Sequence, residues 1–220
     1  MPPHPERRSA GLILAAGGSR RLGRPKQLLP YGGGVLLDAV LATARDCGLD
    51  QIVLALGGAA AEVQGTVNTS GCDVVVNRDF GEGCSSSIAT GMAVLHPETD
   101  ALVLLLGDQP GVRAASVRAL LGVLFGGPGP EGAAPRSRLQ GADRPGIAVC
   151  RYDNGIGHPL AFAKAFLPEL SGFHGDKAVW KLLDRRADDV VELAVPGPVP
   201  LDVDTEEDYR RVLAELEGAL

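Results

Sequence analysis

Three things are scarce in this sequence: paired cysteines, long apolar runs and positive charge. Its four cysteines (Cys47, Cys72, Cys84, Cys150) stand far apart and none forms a CxxC pair. Neither a zinc ribbon nor a disulfide framework is therefore expected, and such usage suits a reducing compartment. No apolar run approaches the roughly 20 residues that span a bilayer. The opening "MPPHPERRSA" is polar and proline-rich and lacks the apolar centre of a signal peptide. A soluble cytoplasmic protein with no membrane partner is the expectation. The formal net charge of -6 over 220 residues removes any general attraction to nucleic acid or an anionic surface. An anion site must then be local, made by a few placed cations. What is present is ordinary: 45% hydrophobic and 22% charged residues suit a globular chain with a real core.

Short apolar runs alternate with helical patterns. "LILAA" (12–16), "QIVLAL" (51–56), "CDVVVN" (72–77) and "ALVLLLG" (101–107) read as strands, the last buried on both faces. Between them lie helical patterns at 35–48, 59–67 and 85–96, with another at 113–125; Gly48 is placed to end the first. This alternation predicts an α/β fold with a mostly parallel sheet and helices on both faces. Residues 126–146 are rich in Gly and Pro and read as a mobile loop. "IAVCRY" and "HPLAF" follow as strands joined by "DNGIG", where Asn154-Gly155 signals a hairpin. A helix at 177–186, a strand at 189–195 and the stiff connector "PGPVP" lead to a final helix that Thr205 or Asp204 can cap. The expected organisation is one domain. Residues 1–10 are a flexible start, 11–125 a nucleotide-binding half, and 147–220 a substrate half with the hairpin as a small lid.

The stretch "GLILAAGGSRRLGRPKQLLP" (11–30) breaks a strand with glycine and loads the break with cations. Ligands of open parallel sheets bind at strand ends. Gly17, Gly18 and Gly23 let a ligand approach backbone N–H groups closely. Arg20, Arg21, Arg24 and Lys26 add charge, so the loop suits a polyphosphate. It is neither GxxxxGK[ST] nor GxGxxG. Asp108 follows the most apolar strand directly; an unpaired carboxylate inside would be costly, which puts it at the strand's end, facing the ligand crevice.

"LAAGGSRRLGRPKQLLP" resembles the LAxGxxxRMGxxKxLLP signature of the nucleotidyltransferases that attach CMP or GMP to molybdopterin, and of relatives that activate sugars and isoprenoid precursors. Leu14, Ala15, Gly17, Arg21, Gly23, Lys26, Leu28, Leu29 and Pro30 match, with Leu22 in place of methionine. The resemblance implies a Rossmann-like three-layer α/β/α nucleotidyltransferase fold. It implies that Leu14, Ala15, Ala16, Gly17 and Gly18 face the nucleotide and that Arg21 and Lys26 bind the triphosphate. It also implies that Asp108 in "LLLGDQP" holds Mg²⁺. "LDVDTEEDY" resembles the family's DxDTPEDY, which makes Asp204 the second metal ligand with Asp202 nearby; Glu206 stands where proline is usual.

Three further segments resemble the cytidylyltransferase branch. In "VVVNRDFGEGCSSSIATGM" the matching residues are Asn77, Gly83, Ser85, Ser86 and Gly91, and Cys84 departs from methionine. "GHPLAF" carries His158, and "LSGFHGDKAVWKLL" carries Gly175 and Asp176, with Ala178 and Trp180 departing. The resemblance implies that Asn77, Gly83, Ser85, Ser86 and His158 bind the acceptor. It implies CTP, through the double alanine, and molybdopterin as acceptor, with a molybdenum hydroxylase as a receiver of product. Another phosphate acceptor, such as a sugar phosphate, remains open. So does an NAD(P)H-dependent oxidoreductase of the kind that acts on a nicotine-derived blue pigment, a class that some proteins resembling this branch belong to. A non-catalytic cofactor chaperone would not need Arg21, Lys26 and Asp108 together.

Overall fold

A computed structural model describes residues 7–127, 145–172, 174–175 and 177–218. In chain order its strands are β1 (Arg8–Ala15), β2 (Pro30–Tyr31), β3 (Gly34–Val35), β4 (Gln51–Leu56), β5 (Asp73–Val76), β6 (Thr99–Leu106), β7 (Ile147–Tyr152), β8 (Gly155–Ala163) and β9 (Val190–Ala194). Its helices are α1 (Leu36–Asp46), α2 (Ala60–Thr66), α3 (Cys84–Met92), α4 (Ala114–Leu124), α5 (Leu167–Gly172), α6 (Ala178–Arg185) and α7 (Glu206–Gly218).

Seven strands form one sheet in the order β5-β4-β1-β6-β8-β7-β9. All neighbours run parallel except β8, which is antiparallel to both β6 and β7. The mostly parallel α/β sandwich expected from the alternating pattern is the fold observed. The central strands are buried on both faces, so they read as continuous apolar runs. On one face Ile13, Leu54, Val103 and Leu105 pack against Leu37 and Leu41 of α1 and Val117 and Leu120 of α4. On the other, Leu12, Leu102, Leu104 and Phe162 pack against Ile88 of α3, Leu170 of α5 and Leu182 of α6. Cys47 and Cys150 sit in the first of these cores. Burial pushes their thiols up to about 11 and about 12, as expected of apolar packers.

Of the flexible start expected over 1–10, residues 8–10 belong to β1 instead, and residues 1–6 lie outside the described residues. β1 begins at Arg8: Ala10 is fully buried, and the Ser9 N–H and hydroxyl both donate to Asp50. Of the glycine-rich loop, Gly126 and Gly127 close α4 on the carbonyls of Val123 and Gly122, and Gly146 bonds Asp189 and Ala163 at the edge of the sheet. Residues 128–144 lie outside the described residues, as does Asp176. The hairpin expected as a lid is present, and both its strands belong to the main sheet. Its turn is held by the connector: Asp153 Oδ2 accepts from Gly197 and Asn154 Oδ1 from Val199.

A third, smaller core positions the site. Leu29, Leu36, Val203, Tyr209 and Val212 pack together, and the Tyr209 hydroxyl donates to the Pro30 carbonyl at 2.6 Å. Leu29 lies three residues after Lys26 and Val203 one before Asp204. This core therefore brings the arginine loop and the C-terminal segment side by side.

Candidate active site

β1 and β6 end next to each other, where the sheet order reverses direction, and this is where ligands of such sheets bind. A cavity of about 570 Å³ opens there. Its walls include Leu14 to Gly18 and Arg21, Lys26, Gly83, Asp108 and Asp204. The loop after β1 is held by side chains rather than by regular structure. Ser19 takes a left-handed conformation (φ 47°), and its Oγ accepts from the Lys26 N–H at 3.0 Å. Gln27 is 2% exposed, and its amide donates to the carbonyls of Ala15 (2.6 Å) and Gly17 (3.4 Å). Gly57 packs so tightly that a Cβ there would lie 2.3 Å from the Ala16 carbonyl oxygen. With the carbonyls engaged behind it, the loop is free to present N–H groups to a ligand.

The charged groups converge at the mouth of this loop. The Lys26 ammonium donates to Asp108 Oδ2 and, at 2.9 Å, to Asp204 Oδ1. The Lys26 and Asp108 side chains are 13% and 12% exposed; Asp204 is 47% exposed. Desolvation pulls the Lys26 pKa down, but Asp108 and Asp204 outweigh it and the pKa is raised. The lysine is thus charged at neutral pH. Arg21 reaches Asp204 at 3.4 Å from a largely solvated position. Asp202 joins from the same segment and is held by the Gln109 amide. Loss of solvent and the nearby Asp108 charge push its carboxyl up to about 6. Asp204 does not cap α7. Thr205 does, in a reciprocal pair with Asp208 (Asp208 N to Thr205 Oγ1, 3.2 Å; Thr205 N to Asp208 Oδ2, 2.9 Å). That leaves the Asp204 carboxylate to face the cavity.

A model of the MobA-like NTP transferase domain matches residues 11–190. The chain belongs to that family. It is 44% identical to Rv0371c of Mycobacterium tuberculosis H37Rv, over 96% of this chain and 100% of that one, with a TM-score of 0.83. A structure of Rv0371c in complex with manganese matches at 42% identity over 94% and 98% of the two chains, with a TM-score of 0.78. Nicotine blue oxidoreductase of Paenarthrobacter nicotinovorans is 40% identical over 112 residues, 50% of this chain and 54% of that protein. That match spans about half the length of the relative.

In this MobA-like chain the donor set suits a hard divalent cation. Asp108 and Asp204 aim oxygens at one position, and the Lys26 ammonium there acts as a stand-in cation. Among the described residues no group of three or more His, Cys, Asp or Glu side chains forms a complete cage. A cation such as Mg²⁺, which keeps waters and shares phosphate oxygens, fits two carboxylates of this kind.

The expected acceptor residues divide. Gly83 lines the cavity, joined by Phe80, Cys84 and Ser87. Asn77 is 2% exposed and donates to the hydroxyls of Ser86 (2.8 Å) and Ser87 (2.9 Å), so it latches the end of β5 to the start of α3. Ser85 is buried and accepts from Gly175 N–H; Ser86 donates to the carbonyls of Asp79 and Gly83. Asn77, Ser85 and Ser86 do not line this cavity, and the bonds they make within the fold support its wall. His158 does not line the cavity either. Its ring stands edge-on to Trp180, and desolvation lowers its pKa to about 4, so it is neutral at pH 7. Gln27, Gln109 and Phe80 were missed by the sequence reading. For the two glutamines the signal was a polar residue directly after each key charge, in "KQLL" and "GDQP"; Phe80 carried none.

Proposed function

We propose that this MobA-like protein transfers CMP from CTP to a molybdopterin-type phosphate, releasing pyrophosphate. The observation that carries the reading is the Lys26–Asp108–Asp204 cluster at the mouth of a glycine loop. The loop N–H groups of residues 16–18 hold the nucleotide, with Gly83 and Ser87 across the cavity. Arg21 and Lys26 offset the charge of the triphosphate. Asp108 and Asp204 would hold Mg²⁺, or Mn²⁺ of the kind found in the related Rv0371c complex, and the metal would supply charge neutralisation for the triphosphate. An acceptor phosphate oxygen forms a bond to the α-phosphorus as the bond to the pyrophosphate oxygen breaks. That nucleophile is already ionised, so the chain needs no general base, and its residues act by positioning and by reducing repulsion between anions. The double alanine of "LAAG" supports CTP over GTP. Handover of product to a molybdenum hydroxylase, in the cytoplasm, completes the reading.

The test is incubation of the protein with α-labelled CTP and Mg²⁺ against molybdopterin and a panel of sugar phosphates. Label in a pterin product with stoichiometric pyrophosphate supports the proposal. Label on a sugar phosphate keeps the reaction and changes the acceptor. The match to nicotine blue oxidoreductase favours a second reading, an NAD(P)H-dependent reductase. NADPH oxidation with a dye acceptor, without transfer from CTP, would support that one.

A further inference from the structure

Lys26 occupies the position between the two carboxylates that a divalent cation would need. The ammonium lies between Asp108 and Asp204, and the Lys26–Asp108 pair is almost entirely removed from solvent. The ammonium offsets one of the two carboxylate charges, and Arg21 reaches Asp204 from the solvent side, so the pair already has cation partners before any metal arrives. A dication entering beside the ammonium would meet like-charge repulsion at close range. We propose that Lys26 is a built-in counter-cation that keeps the metal position filled until a nucleotide's phosphates draw the ammonium away, so that metal and nucleotide bind cooperatively. The inference rests on the reading of Asp108 and Asp204 as metal ligands.

The local structure confines the exchange to one side chain. The Lys26 backbone is fixed through its N–H to Ser19, and its neighbour Gln27 is locked into the loop. The lysine stem runs against Gly17, where a Cβ would lie 3.4 Å from Lys26 Cε. The same ammonium that bridges the carboxylates therefore lies under the loop that receives phosphate. Rotation of the side chain moves it from one set of oxygens to the other. Asp204, nearly half exposed, leaves the carboxylate pair open to solvent on one side. With two carboxylates as direct ligands and Asp202 held aside by Gln109, remaining coordination falls to water and to the nucleotide, which adds to the coupling.

The experiment is Mn²⁺ binding, read by the electron paramagnetic resonance signal of free Mn²⁺, with and without a non-hydrolysable CTP analogue. Wild type is compared with Lys26→Met, and with Lys26→Gln in case the first variant folds poorly. In wild type the analogue should tighten Mn²⁺ binding by roughly tenfold or more, within the usual range of coupling between sites. Without the analogue, the Lys26 variants should bind Mn²⁺ about tenfold more tightly than wild type, and the effect of the analogue should shrink. Asp108→Asn in the Lys26→Met background should abolish that gain. Equal Mn²⁺ affinity in wild type and both Lys26 variants would overturn the counter-cation role and leave the transferase reading standing. No Mn²⁺ binding in any protein, with or without the analogue, would overturn both.

Discussion

Replacing Asp108 by asparagine removes the negative charge that bears most strongly on the Lys26 ammonium. Both side chains are close to nine-tenths buried, so solvent screens the pair poorly. Removing one partner of a buried pair costs about 3–5 kcal/mol where the other is left with no compensation. Here Asp204 remains at 2.9 Å from the ammonium, and Asp202 is relieved of a repelling neighbour. The expected loss for Asp108→Asn is thus smaller, about 2–3 kcal/mol, and Lys26→Met should lose a similar amount. The double variant should lose little more than either single one, giving a coupling of about 2 kcal/mol. The assay is urea unfolding at pH 7.5 without metal, with the cycle accepted only if the denaturant slope is unchanged. A coupling within about 0.5 kcal/mol of zero, the scatter of independent sites, would refute the pairing and with it the reasoning about the charge cluster.

Other consequences can be measured separately. His158 has a pKa of about 4 in the fold against 6.5 ordinarily, so below pH 6.5 the unfolded chain takes up a proton that the folded one refuses. Its contribution is complete above 6.5 and lost as pH falls towards 4, up to about 3 kcal/mol in all. In a pH series of urea midpoints, His158→Gln should flatten that part of the slope; an unchanged slope counts against the neutral ring. Gly57→Ala would set a Cβ 2.3 Å from the Ala16 carbonyl oxygen. It should cost about 1–3 kcal/mol of stability and weaken CTP binding by roughly tenfold, whereas normal calorimetric affinity would mean the loop yields freely. Thr205→Ala should cost about 1 kcal/mol by removing the cap of α7. The Asp208 carboxyl, held low chiefly by its hydrogen bond from Thr205, should rise in an NMR titration.

The sheet was legible because its strands are apolar on both faces, and nothing but strand fits runs as short as "ALVLLLG". The cation loop and Asp108 were legible for a related reason: charge directly after a buried run must lie at a strand end. The β2–β3 hairpin was overlooked. Its signal was the Gly32-Gly33 pair, both at positive φ (57° and 84°), which reads as a two-residue turn once separated from the longer loop. α5 escaped because six residues give too little periodicity to count. Asn77, Ser85 and Ser86 lie behind the cavity wall, a placement that residue type alone does not give. A serine-rich helix start next to a cavity also has to satisfy its own backbone and loop, and here those bonds took the side chains inward. Whether Asp204 capped α7 or faced the cavity could not be read from "DVDTEED"; the geometry of Thr205 and Asp208 decides it.

If the cation loop and the aspartates grip a nucleoside triphosphate together with a metal, nucleotide and metal must stabilise the fold jointly. The most direct test is a thermal-shift series with CTP, GTP and NADPH, each with and without Mg²⁺, on wild type and Asp108→Asn. CTP should give a shift that depends on Mg²⁺ and vanishes in the variant, about 2.7 kcal/mol of stabilisation at a hundredfold over the dissociation constant. A shift for NADPH alone, indifferent to Mg²⁺ and to Asp108, would contradict it.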